Sequence, residues 1–162
     1  MLFRSTPLHL AVKKGDHDNV LLLLAEGADT AARDEAGENP LMKSIRNGRV
    51  SVARLLLNHT GNLQTANQEG QTALHLAAAG DRSDIAAALL RRKADLNRPD
   101  RKGDTPLMLA VESGSERTIV LLVERGADLK VKNKEGKTAL DLAREKRLGN
   151  VVEYLERKTG KP

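Results

Sequence analysis

The 162-residue chain contains no cysteine and no tryptophan, and its only aromatic rings outside histidine belong to Phe3 and Tyr154. Without cysteine there is no disulfide framework, no thiolate nucleophile and no cysteine-ligated metal. The N-terminal stretch MLFRSTPLHL lacks the long apolar region of a signal peptide, and no segment reaches the length of a membrane span. A cytoplasmic protein is therefore expected, or one exported without a recognisable signal. The triplet Asn58-His59-Thr60 matches a glycosylation sequon, but such triplets arise easily by chance. A strong charge of one sign is also missing: 27 Lys and Arg face 22 Asp and Glu, a net +5. That surplus is uneven, with 8 basic and 9 acidic side chains in residues 1–81 against 19 and 13 in residues 82–162. With so few large rings, the core has to be built from Leu, Ala, Val and Ile. Short helices stacked in thin layers suit that material.

What is present is a period. The segments TPLHLA, NPLMKS, TALHLA, TPLMLA and TALDLA begin at Thr6, Asn39, Thr72, Thr105 and Thr138, each 33 residues after the last. The tetrapeptides DEAG, NQEG, DRKG and NKEG keep the same register and end at Gly37, Gly70, Gly103 and Gly136. GAD recurs at 27–29 and 126–128, with KAD and TGN at the equivalent places. Several independent features sharing one strict period define an array of repeats.

These residues resemble the ankyrin repeat family in repeat length, in the T-P-L-H opening and in the later G-A-D. The resemblance covers residues 5–158 and implies an all-α repeat solenoid of stacked helix-turn-helix units with projecting β-turn or hairpin fingers. One array is expected over 1–162, with repeats at about 6–38, 39–71, 72–104, 105–137 and a shortened 138–158 as C-terminal cap, then a tail at 159–162. The residues agree with it independently. Thr6, Asn39, Thr72, Thr105 and Thr138 are good N-caps, and proline follows three of them at the first helical position. A first helix over about Pro7–Lys14 stops near Gly15, and its equivalents stop near Gly48, Gly80 and Gly114. A second helix of eight to ten residues ends at a left-handed Gly27 or Gly126. Asp or Asn followed three residues later by Gly signals a type I turn, the expected fingertip.

His9 and His75 invite a catalytic or metal reading, but the equivalent positions hold Met42, Met108 and Asp141. The resemblance implies a structural role, with each histidine hydrogen-bonded to the threonine of its own motif and to nearby backbone. His17 and His59 lie in different repeats with no i,i+4 partner, and read as surface residues. Dinucleotide and phosphate loops, the nucleophile elbow and H-E-x-x-H are all missing. The serines of SGSER (113–117) have no histidine at matching positions of the neighbouring repeats. No enzyme activity, metal or cofactor is expected.

The resemblance implies a module that binds another protein through its fingers and inner helices, and the chain itself is expected to be monomeric. Carried over by position, the inner-helix set is Lys13, Lys14, Arg46, Asn47, Ala79, Glu112, Ser113, Glu145 and Lys146. The finger set is Arg33, Glu35, Ala36 and Glu38, then Ala66, Gln68, Glu69 and Gln71, then Pro99, Arg101, Lys102 and Asp104, then Lys132, Lys134, Glu135 and Lys137. In order the fingers run from acidic through neutral to basic, so a partner of opposite gradient is expected. With no ring in the groove to anchor binding, the interface should be arginine-led and salt-sensitive. Nucleic acid or an anionic surface is an alternative partner for the basic half. The interspersed acids and the absence of stacking rings argue against it. An architectural or docking role within a larger protein is a further alternative.

Some positions depart from the pattern. Lys93 and Thr60 stand where Gly27 and Gly126 supply a left-handed residue, and Gly61 offers a turn shifted by one. Asp81 and Arg147 replace the glycine between helices, which makes the fifth repeat look irregular. Leu21 occupies a position expected to be solvated, as does Val120. The first repeat has no separate cap before Thr6, which points to a longer chain or to an edge covered by a partner.

Overall fold

A computed structural model describes residues 5–160; Phe3 and the last two residues of the expected tail lie outside the described residues. Ten helices and no strand are found among those residues. They alternate between an inner row, α1 (Pro7–Lys14), α3 (Pro40–Arg46), α5 (Ala73–Ala79), α7 (Pro106–Glu112) and α9 (Ala139–Glu145), and an outer row. The outer row is α2 (His17–Ala25), α4 (Val50–His59), α6 (Ser83–Arg91), α8 (Glu116–Glu124) and α10 (Gly149–Thr159). Inner helices pack on one another more closely than outer ones do. None of these helices is long and apolar enough to cross a membrane.

Helices of seven to eleven residues are marginal alone, and the packing between pairs supplies what propensity cannot. The 33-residue period becomes columns of buried side chains. Leu8, Leu41, Leu74, Leu107 and Leu140 form one inner column, and Leu56, Leu89, Leu122 and Leu155 an outer one, all buried. Each such leucine contributes roughly 2 kcal/mol on burial. Leu10 begins a further column, and it is 54% exposed where Leu76 is 6% and Leu142 5% exposed. The first repeat therefore leaves one apolar edge open, with Leu22 exposed beside it and Leu21 nearby.

All five expected N-caps begin inner helices. At His9, Nε2 lies 2.9 Å from the Glu38 carbonyl, while Nδ1 lies 2.9 Å from the Thr6 hydroxyl and 3.3 Å from the Thr6 N–H. A carbonyl can only accept, so Nε2 carries the proton and Nδ1 accepts. His75 repeats the arrangement, with Nδ1 at Thr72 and Nε2 at 3.2 Å from the Asp104 carbonyl. Burial pushes the His75 imidazolium pKa down, which keeps the ring neutral. Each histidine thus caps its own helix and straps it to the base of the next finger. Asp141 keeps only the cap: the Thr138 N–H and hydroxyl donate to its carboxylate at 3.0 and 2.8 Å.

The departures resolve individually. Lys93, Asp81 and Arg147 take up the left-handed conformation themselves, with φ of 62°, 51° and 57°. This costs a non-glycine residue about 1–2 kcal/mol. Asp81 offsets part of it by accepting a hydrogen bond from the Thr118 hydroxyl at 3.0 Å. The fifth repeat is consequently regular, contrary to expectation. Its inter-helix turn closes through Arg147 N–H to Arg144 O and Leu148 N–H to Ala143 O, the pattern that Gly114 and Ser115 make one repeat earlier. The shifted turn at Gly61 is also absent. Helix α4 runs on to His59, Thr60 is extended (φ −91°, ψ 116°), and its buried hydroxyl donates to the Leu56 carbonyl at 2.8 Å. A β-branched residue avoids the left-handed region by lengthening the helix instead.

Candidate partner-binding groove

Four fingers project beside the inner helices, each folded by one side chain. The Oδ1 atoms of Asp34, Asn67, Asp100 and Asn133 accept backbone N–H groups two and four residues on, at 2.8 to 3.1 Å. This Asx turn fixes each tip without a β-ladder. Neighbouring fingers join by single backbone bonds: Gln68 to Ala36, Arg101 to Glu69 and Lys134 to Lys102, with the first of each pair donating. Glycine permits that approach. A Cβ on Gly70 (φ 78°) would lie 2.8 Å from the Arg101 nitrogen, and one on Gly103 (φ 82°) 2.9 Å from the Lys134 nitrogen. The tip residues Glu35, Gln68, Arg101 and Lys134 therefore form a lateral row with fixed spacing.

The expected site residues divide into three groups. Lys13, Lys14, Arg101, Lys102, Lys132 and Lys134 are exposed and make no ion pair among the described residues. Glu35 and Gln68 are exposed too, and the Gln68 amide donates to the Glu35 carbonyl at 2.7 Å. A second group faces the groove but is already engaged. Glu112 pairs with Lys146 at 2.8 Å, and Lys137 bridges Glu135 and Glu145 at 2.9 Å each. Those two carboxylates hold the Lys137 ammonium pKa well above its usual value, and Lys137 in turn holds Glu135 below the carboxylate range. Arg33 is a strap between fingers, donating to the Gly37 carbonyl at 2.9 Å and to the Ala66 carbonyl.

The third group is a correction. Glu38 and Asp104, expected on the groove surface, are buried. Asp104 accepts from the Asn133 amide at 2.7 Å, and its carbonyl meets His75. Glu38 is paired with Arg46 at 2.5 Å, and its second oxygen, which makes no hydrogen bond, lies 3.8 Å from the Lys43 ammonium. Lys43 also reaches Asp34 at 2.7 Å. Burial opposes ionisation of Asp34, but the Lys43 ammonium and the Glu38 N–H outweigh it and hold this carboxyl below its usual range. The acidic end of the finger series is thus largely internal, and Glu35 is what finger one shows to solvent.

Lys43 was not among the expected residues, yet its signal was available. It interrupts the column Leu10, Leu76, Leu109 and Leu142, nine residues after an aspartate. A lysine at a leucine position beside a buried glutamate is a charge network in place of a contact.

A depression of about 470 Å3 lies on the opposite side between α4 and α6, beside the 2.5 Å Arg54–Asp84 pair. On the finger side, a notch of about 350 Å3 opens between fingers two and three, with Leu109 of α7 in its lining. No three His, Asp or Glu side chains converge as metal ligands among the described residues. Residues 8–100 match the family described as "Ankyrin repeats (3 copies)", and residues 89–143 match "Ankyrin repeats (many copies)". The chain belongs to the ankyrin repeat family. No individual curated protein matches it. Ankyrin repeats generally serve as protein–protein interaction modules.

Proposed function

We propose that this ankyrin repeat chain is an adaptor, without chemistry of its own, that binds a partner protein along the groove of fingers and inner helices. The observation that carries this reading is the set Arg101, Lys102, Lys132 and Lys134. All four are exposed, none is ion-paired within the described residues, and backbone bonds between fingers hold two of them in line. Exposed cations pinned to a rigid scaffold make little contribution to the fold, and they favour docking of an acidic surface. Lys13, Lys14, Arg46 and Gln71 extend the surface on the N-terminal side. Glu38 and Asp104 drop out of it because they are buried.

The test is a pull-down from lysate of the source organism at controlled salt, comparing the wild type with a variant carrying Arg101→Ser, Lys102→Ser, Lys132→Ser and Lys134→Ser. The reading predicts a protein captured by wild type and lost with the variant. Equal capture by both would move the site to the outer helices or the open N-terminal edge. Capture that disappears on nuclease treatment would replace the protein partner with nucleic acid.

A further inference from the structure

In the second and fifth repeats, the corner where a finger meets its inner helix is closed by an ion pair eight residues apart. Glu38 meets Arg46 at 2.5 Å, and Lys137 meets Glu145 at 2.9 Å. The third repeat places Gln71 and Ala79 at those positions, and no bridge can form. Gln71 is half-buried, and its side-chain amide makes no hydrogen bond among the described residues. Next to it Leu109 stays partly exposed, while its equivalents Leu76 and Leu142 are buried. The 350 Å3 notch opens beside Gln71, with Leu109, Arg101 and Lys102 also in its wall.

The charges in the wall decide what fits. Glu69, Asp100 and Asp104 line the notch together with Arg101 and Lys102. An incoming carboxylate would meet more acid than base inside. The interior instead suits an uncharged apolar side chain that can pack on Leu109 and on the aliphatic stems, whose charged ends stay in water. Outside the notch the balance reverses, toward the unpaired cations of fingers three and four. We infer that the notch between fingers two and three takes one apolar side chain of an extended partner segment whose acidic residues lie across fingers three and four. This deepens the groove reading and rests on it.

The experiment uses a fluorescent, acetylated peptide, Gly-Leu-Gly-Glu-Glu-Glu-Glu, followed by anisotropy against the full chain at low salt. Two control peptides replace Leu with Ser, or all Glu with Lys. The expected result is about 5- to 10-fold weaker binding of the serine peptide, as for loss of one partly buried apolar side chain, and no binding of the lysine peptide. The double variant Gln71→Glu, Ala79→Arg rebuilds the closed corner of the second repeat. It should bind both glutamate peptides at the serine-peptide level. Ala79→Arg alone, with its helicity checked by circular dichroism, gives the same reading should the double variant not fold. Lys132→Ser, Lys134→Ser, which lie outside the notch, should weaken both glutamate peptides while leaving the Leu/Ser ratio intact. Equal affinity for the leucine and serine peptides would overturn the notch assignment, as would tighter binding of a DNA oligonucleotide of equal charge. If lysate capture nevertheless depends on the four cations, the groove reading survives that failure; if capture is also indifferent to them, both fall.

Discussion

The first finger and the third and fourth are built on the same turn, yet they spend their charges in opposite ways. At the first, Asp34, Glu38, Lys43 and Arg46 neutralise one another inside the joint between finger and α3. At the third and fourth, Arg101, Lys102, Lys132 and Lys134 are exposed and make no ion pair among the described residues. One repeat scaffold thus carries charge as an internal fastener at one end and as an external surface at the other. The difference shows that a residue's place in the period does not decide whether it is available to a partner. For Glu38 that is decided by Lys43 and Arg46, five and eight residues on, and for Asp104 by Asn133 of the next finger.

The sharpest break in the comparison is between Glu38 and Gln71, equivalent residues of the two joints. Glu38→Ala removes a buried carboxylate and leaves Arg46 and Lys43 facing each other. Removing one partner of a fully buried pair costs about 3–5 kcal/mol. Here the cations keep some water, with side chains 43% and 23% exposed, so the expected cost is about 2–3 kcal/mol. Gln71→Ala should change the unfolding free energy measured in urea by no more than about 0.5 kcal/mol. Equal effects would remove the distinction between closed and open joints.

Next in size is Gly70→Ala, which tests whether the open fingers are held in register. Its Cβ would meet the Arg101 nitrogen at 2.8 Å while the backbone keeps φ at 78°, so a loss of about 2 kcal/mol is expected. Gly136→Ala carries a similar φ of 77° but meets nothing within 4 Å, and should cost about 1 kcal/mol. Paired urea melts compare them.

His75 ties α5 to the base of the third finger, as His9 ties α1 to the base of the first. Its pKa is lower in the folded protein than in the unfolded chain. The unfolded state therefore binds more protons below about pH 6.5, and stability falls as pH drops through that window. His75→Gln keeps a capping side chain and removes the titration. It should cost about 1 kcal/mol at pH 7.5, from the lost contact to the Asp104 carbonyl, and shrink the fall in Tm between pH 7.5 and 5.5. An undiminished fall would assign the acid sensitivity elsewhere.

The smallest effect on stability belongs to the four-serine variant of fingers three and four, which should unfold within about 0.5 kcal/mol of wild type. A larger loss would mean that these cations fasten the fold as the Glu38 network does.

Much of this was legible in the sequence because repetition turns one local signal into five. The 33-residue period located the N-caps, and the resemblance to ankyrin repeats implied the hydrogen bond between Thr72 and His75. The left-handed conformation of Lys93 followed from the glycines at equivalent places. The errors fell where a residue's fate depends on a neighbour outside its own position. Glu38 aligns with Gln71, Asp104 and Lys137 at a position that varies freely, and only Lys43 and Arg46 draw it inside. Thr60 escaped its awkward turn because a helix can extend by one residue, a choice that propensity at a single site does not reveal. Arg147 kept the fifth repeat regular because two backbone hydrogen bonds hold the turn whatever side chain it bears.

The most direct test of the central claim is a hydrogen–deuterium exchange footprint of the chain with its captured partner protein. Binding along the groove predicts added protection at residues 99–104, beside the open notch, and at residues 130–137 of the next finger, with little change over α4, α6 and α8. Protection confined to those outer helices, with the basic fingers unchanged, would contradict it.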